Sequence, residues 1–454
     1  MKKKHEMDLC RGPLGKQILI FSVPLMLSNL LQVLFNMADI AVVGRFAGPT
    51  ALGAVGSTTT LVTLFTTFLI GLSGGINVLV ALHVGSGNRK ELRETIHTAA
   101  LVSLISGMVI LLVGVIFSRG ILELLHTKDE LIDGAAQYLR IYFLGMPALA
   151  VYNFGNAVLS AVGDTKRPLC FLSAAGVINV VLNLFFVIVC QMDVAGVATA
   201  SVISQYVSAV LIMRTLFRSQ EAYGLRLSEL HFRKDKVHSI LNLGIPSGLQ
   251  NGIFQFANLF VQMGVNSFSA TMVSGNAAAA NADGLVYDVM AAFYTACGSF
   301  IGQNYGARKK DRILRSYFIS LAYSFGIGLC MGLLIVCFGH PFLSLFTKDA
   351  AVIEAGMRRL TIMSFSYAVS AFMDCTIAAS RGLGKSIVPT VIVIMGSCVF
   401  RIIWIYTVFA YFGTITSLYL LYLFSWSITA IAEMIYFRKV YLDANRSASV
   451  MPSK

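Results

Sequence analysis

Long apolar stretches recur along the whole chain, with short polar segments between them. Each stretch reaches about 20 residues, which as an α-helix is enough to cross the hydrocarbon core of a bilayer. The strands of a membrane barrel would be about half as long and would alternate polar with apolar residues, a pattern that is absent here. The pattern therefore predicts an all-α membrane protein with twelve spans, at residues 17–43, 51–82, 95–117, 133–158, 168–190, 194–217, 238–264, 271–302, 314–338, 354–378, 387–411 and 414–438.

The two halves of the chain resemble each other at an offset of about 221 residues. LLHTKDELI at 124–132 is similar to SLFTKDAAVI at 344–353, and Pro24 corresponds to Pro246. Because each half holds an even number of spans, both enter the membrane in the same direction, so the repeats are parallel and a substrate cavity between them is expected. The predicted domains are an N-terminal six-helix lobe at 1–218, a cytoplasmic linker at 219–237, a C-terminal six-helix lobe at 238–440 and a cytoplasmic tail at 441–454.

Composition and charge support this interpretation and place the protein in the membrane. The chain is 56% hydrophobic and only 13% charged, whereas soluble domains are about a quarter charged. The net charge of +13 does not indicate a nucleic-acid partner, because most Lys and Arg residues lie in the N-terminal segment and in short loops after even-numbered spans. Such cations are retained on the cytoplasmic side. We therefore predict a multi-pass plasma-membrane protein, in the inner membrane of the cell, with both termini cytoplasmic.

The first span carries a stripe of polar side chains inside an apolar helix. Gln32, Asn36 and Asp39 fall on one side of it, together with Asn29. Lipid cannot satisfy these groups, and an ionised carboxylate facing hydrocarbon costs at least a few kcal/mol. The stripe must therefore face protein or water. Pro24, nearer the cytoplasmic end, is expected to bend this helix.

Other spans of the first half supply polar partners for Asp39. Asn179 and Asn183 are four residues apart on span 5, and Ser201 lies on span 6. We predict that these residues and the stripe form an ion-coupling site, in which Asp39 either exchanges a proton or contributes to a Na⁺ site. The choice between H⁺ and Na⁺ stays open. Interhelical packing by amide side chains is the structural alternative.

The second half has its own intramembrane polar residues, which define a second candidate site. Its members are Gln255 on span 7, Asp283 on span 8, Asp374 on span 10 and Arg401 on span 11. An arginine at this depth needs an acidic partner. Two interpretations remain open for Arg401: a structural ion pair with Asp374 or Asp283, and a second coupling or substrate site.

Several motifs resemble one known family. PLMLSNLLQVLFNMADIAVVGRFAG, the GDTKRP and RGLGKSIVP corners, and GNAAAANADGLVYDVMAAFYTACGSFIGQNYGARKK are similar to the multidrug and toxic compound extrusion (MATE) family, in particular its DNA-damage-inducible (DinF-like) branch. The resemblance covers nearly the whole chain. It implies two six-helix lobes that form a V-shaped cleft and export cationic or amphipathic compounds in exchange for H⁺ or Na⁺.

Carried over by position, the resemblance assigns the family's functional residues to this chain. The helix 1 aspartate is Asp39, the helix 5 asparagine is Asn179, and Ser201 stands at the position of the helix 6 threonine. Asn183 occupies a position where some proton-coupled members have a second aspartate. Gln255 occupies a position where sodium-coupled members often have glutamate.

The predicted function is therefore cation-coupled antiport of organic cations or amphiphiles by a monomer, with no cofactor and no metal beyond a possible Na⁺ at Asp39. One alternative is a lipid-linked oligosaccharide flippase, but its cleft should hold several cations for a pyrophosphate, and Arg401 is the cation that the pattern places deep in the membrane. A membrane-embedded enzyme is the alternative of another class. The chain has no HExxH, nucleophile elbow or P-loop, so we predict that it is not an enzyme.

Overall fold

The computed structural model describes residues 6–125 and 127–450, and in these residues the chain folds into helices without strands. In chain order the α-helices are α1 (Leu14–Val42), α2 (Gly48–Ser86), α3 (Arg89–Leu124), α4 (Asp129–Phe143), α5 (Met146–Ala161), α6 (Lys166–Leu184), α7 (Asp193–Arg218), α8 (Lys234–Asn266), α9 (Ala270–Gly306), α10 (Lys310–Cys337), α11 (Gly339–Ser344), α12 (Ala350–Gly382), α13 (Ile387–Val393), α14 (Phe400–Trp404), α15 (Ala410–Phe412) and α16 (Ile415–Val450). π-Helical turns occupy Val43–Ala47, Phe185–Val189, Ile394–Val399 and Ile405–Phe409, and a 3₁₀ turn occupies Leu227–Glu229.

Each predicted span is helical over nearly its whole length. Within the described residues, nine helical runs are long and apolar enough to cross a membrane, and the first of these, Leu14–Ser86, contains both α1 and α2. Two of the twelve predicted spans are not among these nine helical runs. The span at 133–158 is divided into α4 and α5 at Leu144 and Gly145, and the span at 238–264 lies in α8, which carries several Asn and Gln side chains.

Local chemistry explains where several helices begin and end. The side chains of Asn88, Ser269 and Asp349 accept hydrogen bonds from backbone N–H groups in the first turns of α3, α9 and α12. These first-turn N–H groups have no partner within the helix, so each cap satisfies one of them. Gly87 and Gly413 end α2 and α15 in the left-handed conformation, which glycine adopts without steric cost.

The described chain forms two compact units. Within the described residues, the first comprises residues 6–7 and Leu27–Gly248, and the second comprises Asp8–Met26 and residues 249–450. Helix α1 thus changes unit after Met26 and α8 after Gly248, in each case two residues beyond a proline, Pro24 or Pro246. The lobes predicted at 1–218 and 238–440 stay a prediction. Of the predicted tail at 441–454, residues 441–450 continue α16, and residues 451–454 lie outside the described residues.

In the first unit, α2 and the first part of α8 cross with their backbones in contact. A Cβ placed on Gly71 would meet the backbone of Gly248, and a Cβ on Gly75 would meet the backbone of Gly244. Small residues spaced four apart let membrane helices approach in this way. The predicted linker is also packed on this unit: His97 of α3 accepts a hydrogen bond from its Arg226 N–H at 3.0 Å.

In the second unit, the first part of α1 packs on α9. The ring of Phe21 meets that of Phe300 edge to face, with 5.5 Å between ring centroids. Ser22, fully buried, donates to the backbone carbonyl of Ala292 at 3.5 Å. Helices α9, α10, α12 and α16 supply most of the buried core of this unit.

Candidate functional site

A close approach of α1 and α6 brings Asp39 to the polar residues of span 5. The ring of Phe35, one turn before Asp39, packs against Gly176, where a Cβ would overlap the ring. Glycine at this position therefore lets the two helices come together. One to two turns further along α6 lie Asn179 and Asn183, both buried.

Asp39 and three other side chains form a closed ring of hydrogen bonds. The Asn183 Nδ2 group donates to Asp39 Oδ1 and, at 3.2 Å, to Asn179 Oδ1. Asn179 Nδ2 donates to Ser201 Oγ at 3.4 Å, and Ser201 Oγ donates to Asp39 Oδ2, also at 3.4 Å. Three helices, α1, α6 and α7, thus supply one connected site. Followed from donor to acceptor, every path of hydrogen bonds in the ring ends at the Asp39 carboxylate.

The ring leaves one strong acceptor without a donor. Asn183 is 0% exposed, and its Oδ1 has no hydrogen-bond partner among the described residues. A buried polar atom of this kind normally has a partner, because leaving it unsatisfied costs about 1–3 kcal/mol. The site therefore has a carboxylate and an amide oxygen together, which is suitable chemistry for receiving a proton or a small hard cation.

The remaining members of the predicted stripe lie outside this ring. Gln32 and Asn36 are exposed on α1 and make none of its hydrogen bonds. Two tyrosines that the sequence did not single out, Tyr138 and Tyr142 of α4, lie within electrostatic reach of Asp39, with their rings stacked 5.8 Å apart. Their signal in the sequence was weak, because tyrosine is common in membrane helices.

π-Helical turns follow the ring residues directly. Asp39 lies four residues before the turn at Val43–Ala47, and Asn183 lies two residues before the turn at Phe185–Val189. Such turns insert one extra residue into a helix and occur frequently at functional sites. In the second repeat, the turn at Ile405–Phe409 occupies nearly the same repeat position as Phe185–Val189.

In the second unit, Asp283 forms an ion pair that the sequence did not predict. Arg359 of α12 donates to Asp283 Oδ2, and the Tyr367 hydroxyl donates to Asp283 Oδ1. Arg359 also donates to Asn276 Oδ1 at 2.7 Å. Arg359 lies within the span predicted at 354–378, so a complete inventory of charges inside the spans would have found it.

Arg401 does not form either of the ion pairs considered for it. In the described part of the chain its hydrogen-bond partner is Asn258 Oδ1, at 2.8 Å, and no carboxylate oxygen lies within ion-pair distance. Its charge instead lies against aromatic rings, those of Phe254, Tyr422 and Trp426. The expectation of an acidic partner is wrong: Asp283 is paired with Arg359, and Asp374 lies near Arg381.

The other predicted residues of the second site lie apart from this cluster. Asp374 lies near Arg381, and its Oδ2 has no donor among the described residues. Arg381 in turn donates to Gln250 Oε1 at 2.8 Å and lies near the fully buried Glu433 of α16. Gln255 is half-buried on α8 and, among the described residues, forms no hydrogen bond with Asp283, Asp374 or Arg401. The four predicted residues therefore do not form one site.

Among the described residues, no three His, Cys, Asp or Glu side chains form a group that could hold a metal ion. The ring at Asp39 is different in kind, since it combines one carboxylate with neutral oxygens from two asparagines and a serine. Such an all-oxygen donor set suits a hard cation better than zinc or copper.

Comparisons with known proteins agree with this architecture. A family model described as MatE matches residues 24–185 and 246–407, two segments of equal length whose starts lie 222 residues apart. The chain is 31% identical over 363 residues to the probable multidrug resistance protein YpnP of Bacillus subtilis, covering 79% of this chain and 80% of that protein. It is 27% identical over 382 residues to the probable multidrug resistance protein YoeA of the same organism, covering 82% of each.

A solved structure gives the same result for the fold. A MOP superfamily transporter from Pyrococcus furiosus superposes with a TM-score of 0.91, covering 98% of this chain and 100% of that one at 22% identity. At this identity the likeness concerns the fold alone. Together with the doubled family match, it confirms the predicted all-α membrane fold built from two repeats of six helices.

Proposed function

The chain belongs to the multidrug and toxic compound extrusion (MATE) family, and from this premise we propose that it exports cationic or amphipathic compounds across the plasma membrane in exchange for H⁺ or Na⁺. Members of this family are membrane transporters and not enzymes. We further propose that the protein works as a monomer with both termini in the cytoplasm. Placement in the DinF-like branch stays a prediction, and family membership favours export of small compounds over the flippase alternative.

The observation that carries the proposal is the closed ring of hydrogen bonds at Asp39. The Asp39 carboxylate accepts hydrogen bonds from Asn183 and Ser201 and has no ion pair with a basic residue among the described residues, so it is free to change its cation occupancy. A permanent ion pair would prevent such exchange, because the arginine or lysine would compete with the incoming ion. The ring therefore supports Asp39 as the coupling residue.

Proton coupling has a direct structural consequence in this ring. A protonated carboxyl group donates a hydrogen bond as well as accepting one. The Asn183 amide oxygen, which has no donor, becomes its acceptor when the amide turns over by about 180°, since the amide presents its oxygen and nitrogen on opposite sides. The turned amide no longer donates to Asp39 and Asn179 together. The hydrogen bond between Asn183 and Asn179 is lost and the ring opens, while Asp39 and Asn183 stay joined by a bond in which the carboxyl group is now the donor.

Sodium coupling would use the same atoms differently. The carboxylate oxygens of Asp39, the free Oδ1 of Asn183 and the Ser201 hydroxyl offer several oxygen ligands without another charged group. Backbone and side-chain oxygens of this kind coordinate Na⁺ in membrane transporters. In both versions the change is transmitted along α1 to Pro24, where the helix already lacks a backbone hydrogen bond and bends more easily.

The decisive variant is Asp39→Asn in a drug-sensitive host. We expect resistance to fall to that of cells without the transporter, because the asparagine cannot exchange a cation. The matched control is Asp133→Asn, which removes an exposed carboxylate paired only with Arg119 at the surface. Resistance at the wild-type level, with normal expression of Asp39→Asn, would reject the mechanism.

The coupling ion is identified in vesicles that contain the purified protein. Export of a cationic dye is measured under an imposed H⁺ gradient and, separately, under an imposed Na⁺ gradient. The gradient that drives dye movement in the wild type, but not in Asp39→Asn, names the ion. Dye movement driven by neither gradient would exclude coupled antiport.

A further inference from the structure

We propose that the second unit holds a binding site for an anionic group, a carboxylate or a phosphate, centred on Arg401. The anionic group belongs to the compound that is transported. The exported class therefore includes amphipathic zwitterions, which carry a negative group as well as a positive charge. This inference rests on the proposed export function and adds the recognition chemistry of the second unit to it.

Arg401 is the largest fully buried side chain of the described residues, at 0% exposure. Its guanidinium lies 4.7 Å from the ring centroid of Tyr422, 4.9 Å from that of Phe254 and 5.9 Å from that of Trp426. Aromatic faces attract a guanidinium, but they do not neutralise it. A charge buried this deeply normally has an ionic partner, because its removal from water is costly.

The local charge count leaves one positive charge without a counter-charge. Arg359 and Arg401 both lie against the Tyr422 ring, since the Arg359 guanidinium is 5.5 Å from its centroid. Asp283 is the carboxylate of this cluster, and it pairs with Arg359. Two guanidinium groups therefore share one carboxylate, and the excess charge is on Arg401. An anion completes the balance.

Four buried N–H groups of the described residues around the Tyr422 ring lack an acceptor. In the described part of the chain, Arg401 Nε and Nη2, Arg359 Nε and Trp426 Nε1 are buried and have no acceptor. Buried donors are rarely left in this state in folded proteins. A carboxylate or phosphate group carries several acceptor oxygens and no obligatory donor, so it matches this set, whereas a cation does not.

The helix that carries Arg401 is built so that the side chain can be re-aimed. Helix α14 has five residues, Phe400–Trp404, and a π-helical turn lies on each side of it. Moving the extra residue of a π turn along a helix rotates the side chains it passes by about 100°.

The test compares two dyes that differ in one group. Rhodamine 110 has a free carboxylate, and rhodamine 123 is its methyl ester. Binding of each dye is measured by fluorescence anisotropy with the full-length protein in phosphatidylcholine vesicles, for the wild type, Arg401→Gln and Trp426→Phe. The matched control is Trp404→Phe, which removes the other indole N–H, one that already donates to the Ser417 carbonyl at 2.8 Å.

We expect the wild type to bind rhodamine 110 more tightly than rhodamine 123. Arg401→Gln should weaken rhodamine 110 binding roughly 10-fold to 100-fold, and Trp426→Phe roughly 3-fold to 10-fold, as expected for loss of charged and neutral hydrogen bonds. Rhodamine 123 binding should change by less than about twofold in both variants, since the ester carries no charge for the guanidinium. Trp404→Phe should leave the preference intact.

An unchanged ratio of the two affinities in Arg401→Gln and Trp426→Phe would overturn the proposal. If Arg401→Gln does not fold, Trp426→Phe and Arg401→Lys are compared in its place. Arg401→Lys should keep the preference for rhodamine 110. Loss of that preference in Arg401→Lys, with no change in Trp426→Phe, counts against the site. Binding of rhodamine 123 by the wild type, without any effect of these variants on the ratio, rejects the anion site alone. Absence of binding and export of both dyes counts against the proposed function itself.

The source of the anion is separated by adding phosphatidylglycerol to the vesicles. If this lipid weakens rhodamine 110 binding in the wild type but not in Arg401→Gln, a lipid phosphate competes for the same site. If it has no effect, the site is selective for the anionic group of a soluble compound. This comparison is interpreted only when Arg401→Gln has removed the preference for rhodamine 110, so that both results presuppose the anion site.

Discussion

Asn183 donates a side-chain hydrogen bond to Asp39, across 144 positions of sequence. The same amide group donates to Asn179, so one buried side chain fixes the position of the carboxylate relative to the rest of the ring. Because its own oxygen has no donor, Asn183 is also the residue that can respond when Asp39 changes its occupancy. Asn183 therefore both fixes the position of the Asp39 carboxylate and responds when that carboxylate binds or releases a cation.

Replacing Asn183 by alanine tests this relationship. Loss of a hydrogen bond to a charged group costs about 1.5–3 kcal/mol, so gradient-driven dye export should fall roughly 10-fold to 100-fold if the bond is used in the cycle. Export is measured in vesicles at equal protein content. The control is Asn281→Ala, which removes an exposed amide that donates to carbonyls of its own helix α9. Equal rates in the two variants would mean that Asn183 only fills space.

Ser201 offers a graded test of the same ring. Its hydroxyl lies 3.4 Å from Asp39 Oδ2, a long hydrogen bond, so Ser201→Ala should lower dye export by a smaller factor, roughly 2-fold to 10-fold. Ser201→Thr keeps the hydroxyl and should retain most of the activity. Export rates of the two variants are compared in one vesicle preparation. A larger loss in the threonine variant than in the alanine variant would contradict the assignment of Ser201 as a donor.

The residues of the hydrogen-bonded ring at Asp39 were predictable because helical periodicity decides which side chains share a face. Asn179 and Asn183 are separated by four residues, and Asp39 is a carboxylate inside an apolar run, so each carries a local signal. Family resemblance added the position of Ser201. The exposed Gln32 and Asn36 show the limit of the same reasoning, since sharing a helix face with Asp39 does not place them in hydrogen-bonding distance.

The second unit was less predictable because its ion pairs depend on which helices meet. Periodicity places Asp283 on one face of α9, but it does not reveal that α12 brings Arg359 to it. Asp283 is paired with Arg359, and Arg401 instead donates to Asn258 and lies against aromatic rings. The division of span 4 at Gly145 was missed for a related reason: the apolar residues continue across the break, so composition alone does not show it.

Gly176 controls how closely α1 approaches α6. A methyl group there would overlap the ring of Phe35, so Gly176→Ala should push the helices apart and lower the free energy of unfolding by about 1–3 kcal/mol. Thermal unfolding of the detergent-purified protein measures this loss. Gly74→Ala on α2 is the control, because a Cβ there meets nothing within 4 Å. The double variant Phe35→Val with Gly176→Ala should recover part of the stability, and no recovery would show that the ring is not the obstacle.

The ion pair of Asp283 and Arg359 gives the sharpest prediction for the second unit. Removing one partner of a buried pair costs about 3–5 kcal/mol, and since the Asp283 side chain is 28% exposed, Asp283→Asn should lower the free energy of unfolding by about 3 kcal/mol. Arg401 adds to this loss, because it lies against the same Tyr422 ring and repels the unpaired Arg359 guanidinium. Stability is measured by chemical unfolding in detergent.

A double-mutant cycle separates this electrostatic effect from simple loss of packing. Combining Asp283→Asn with Arg359→Gln removes both charges, so the double variant should be more stable than the sum of the two single losses implies. Arg358→Gln is the matched control, since Arg358 is the exposed neighbour of Arg359, and it should change stability by less than about 0.5 kcal/mol. Additive losses would show that the two residues stabilise the unit independently, and the charge balance argued around Arg401 would then lose its basis.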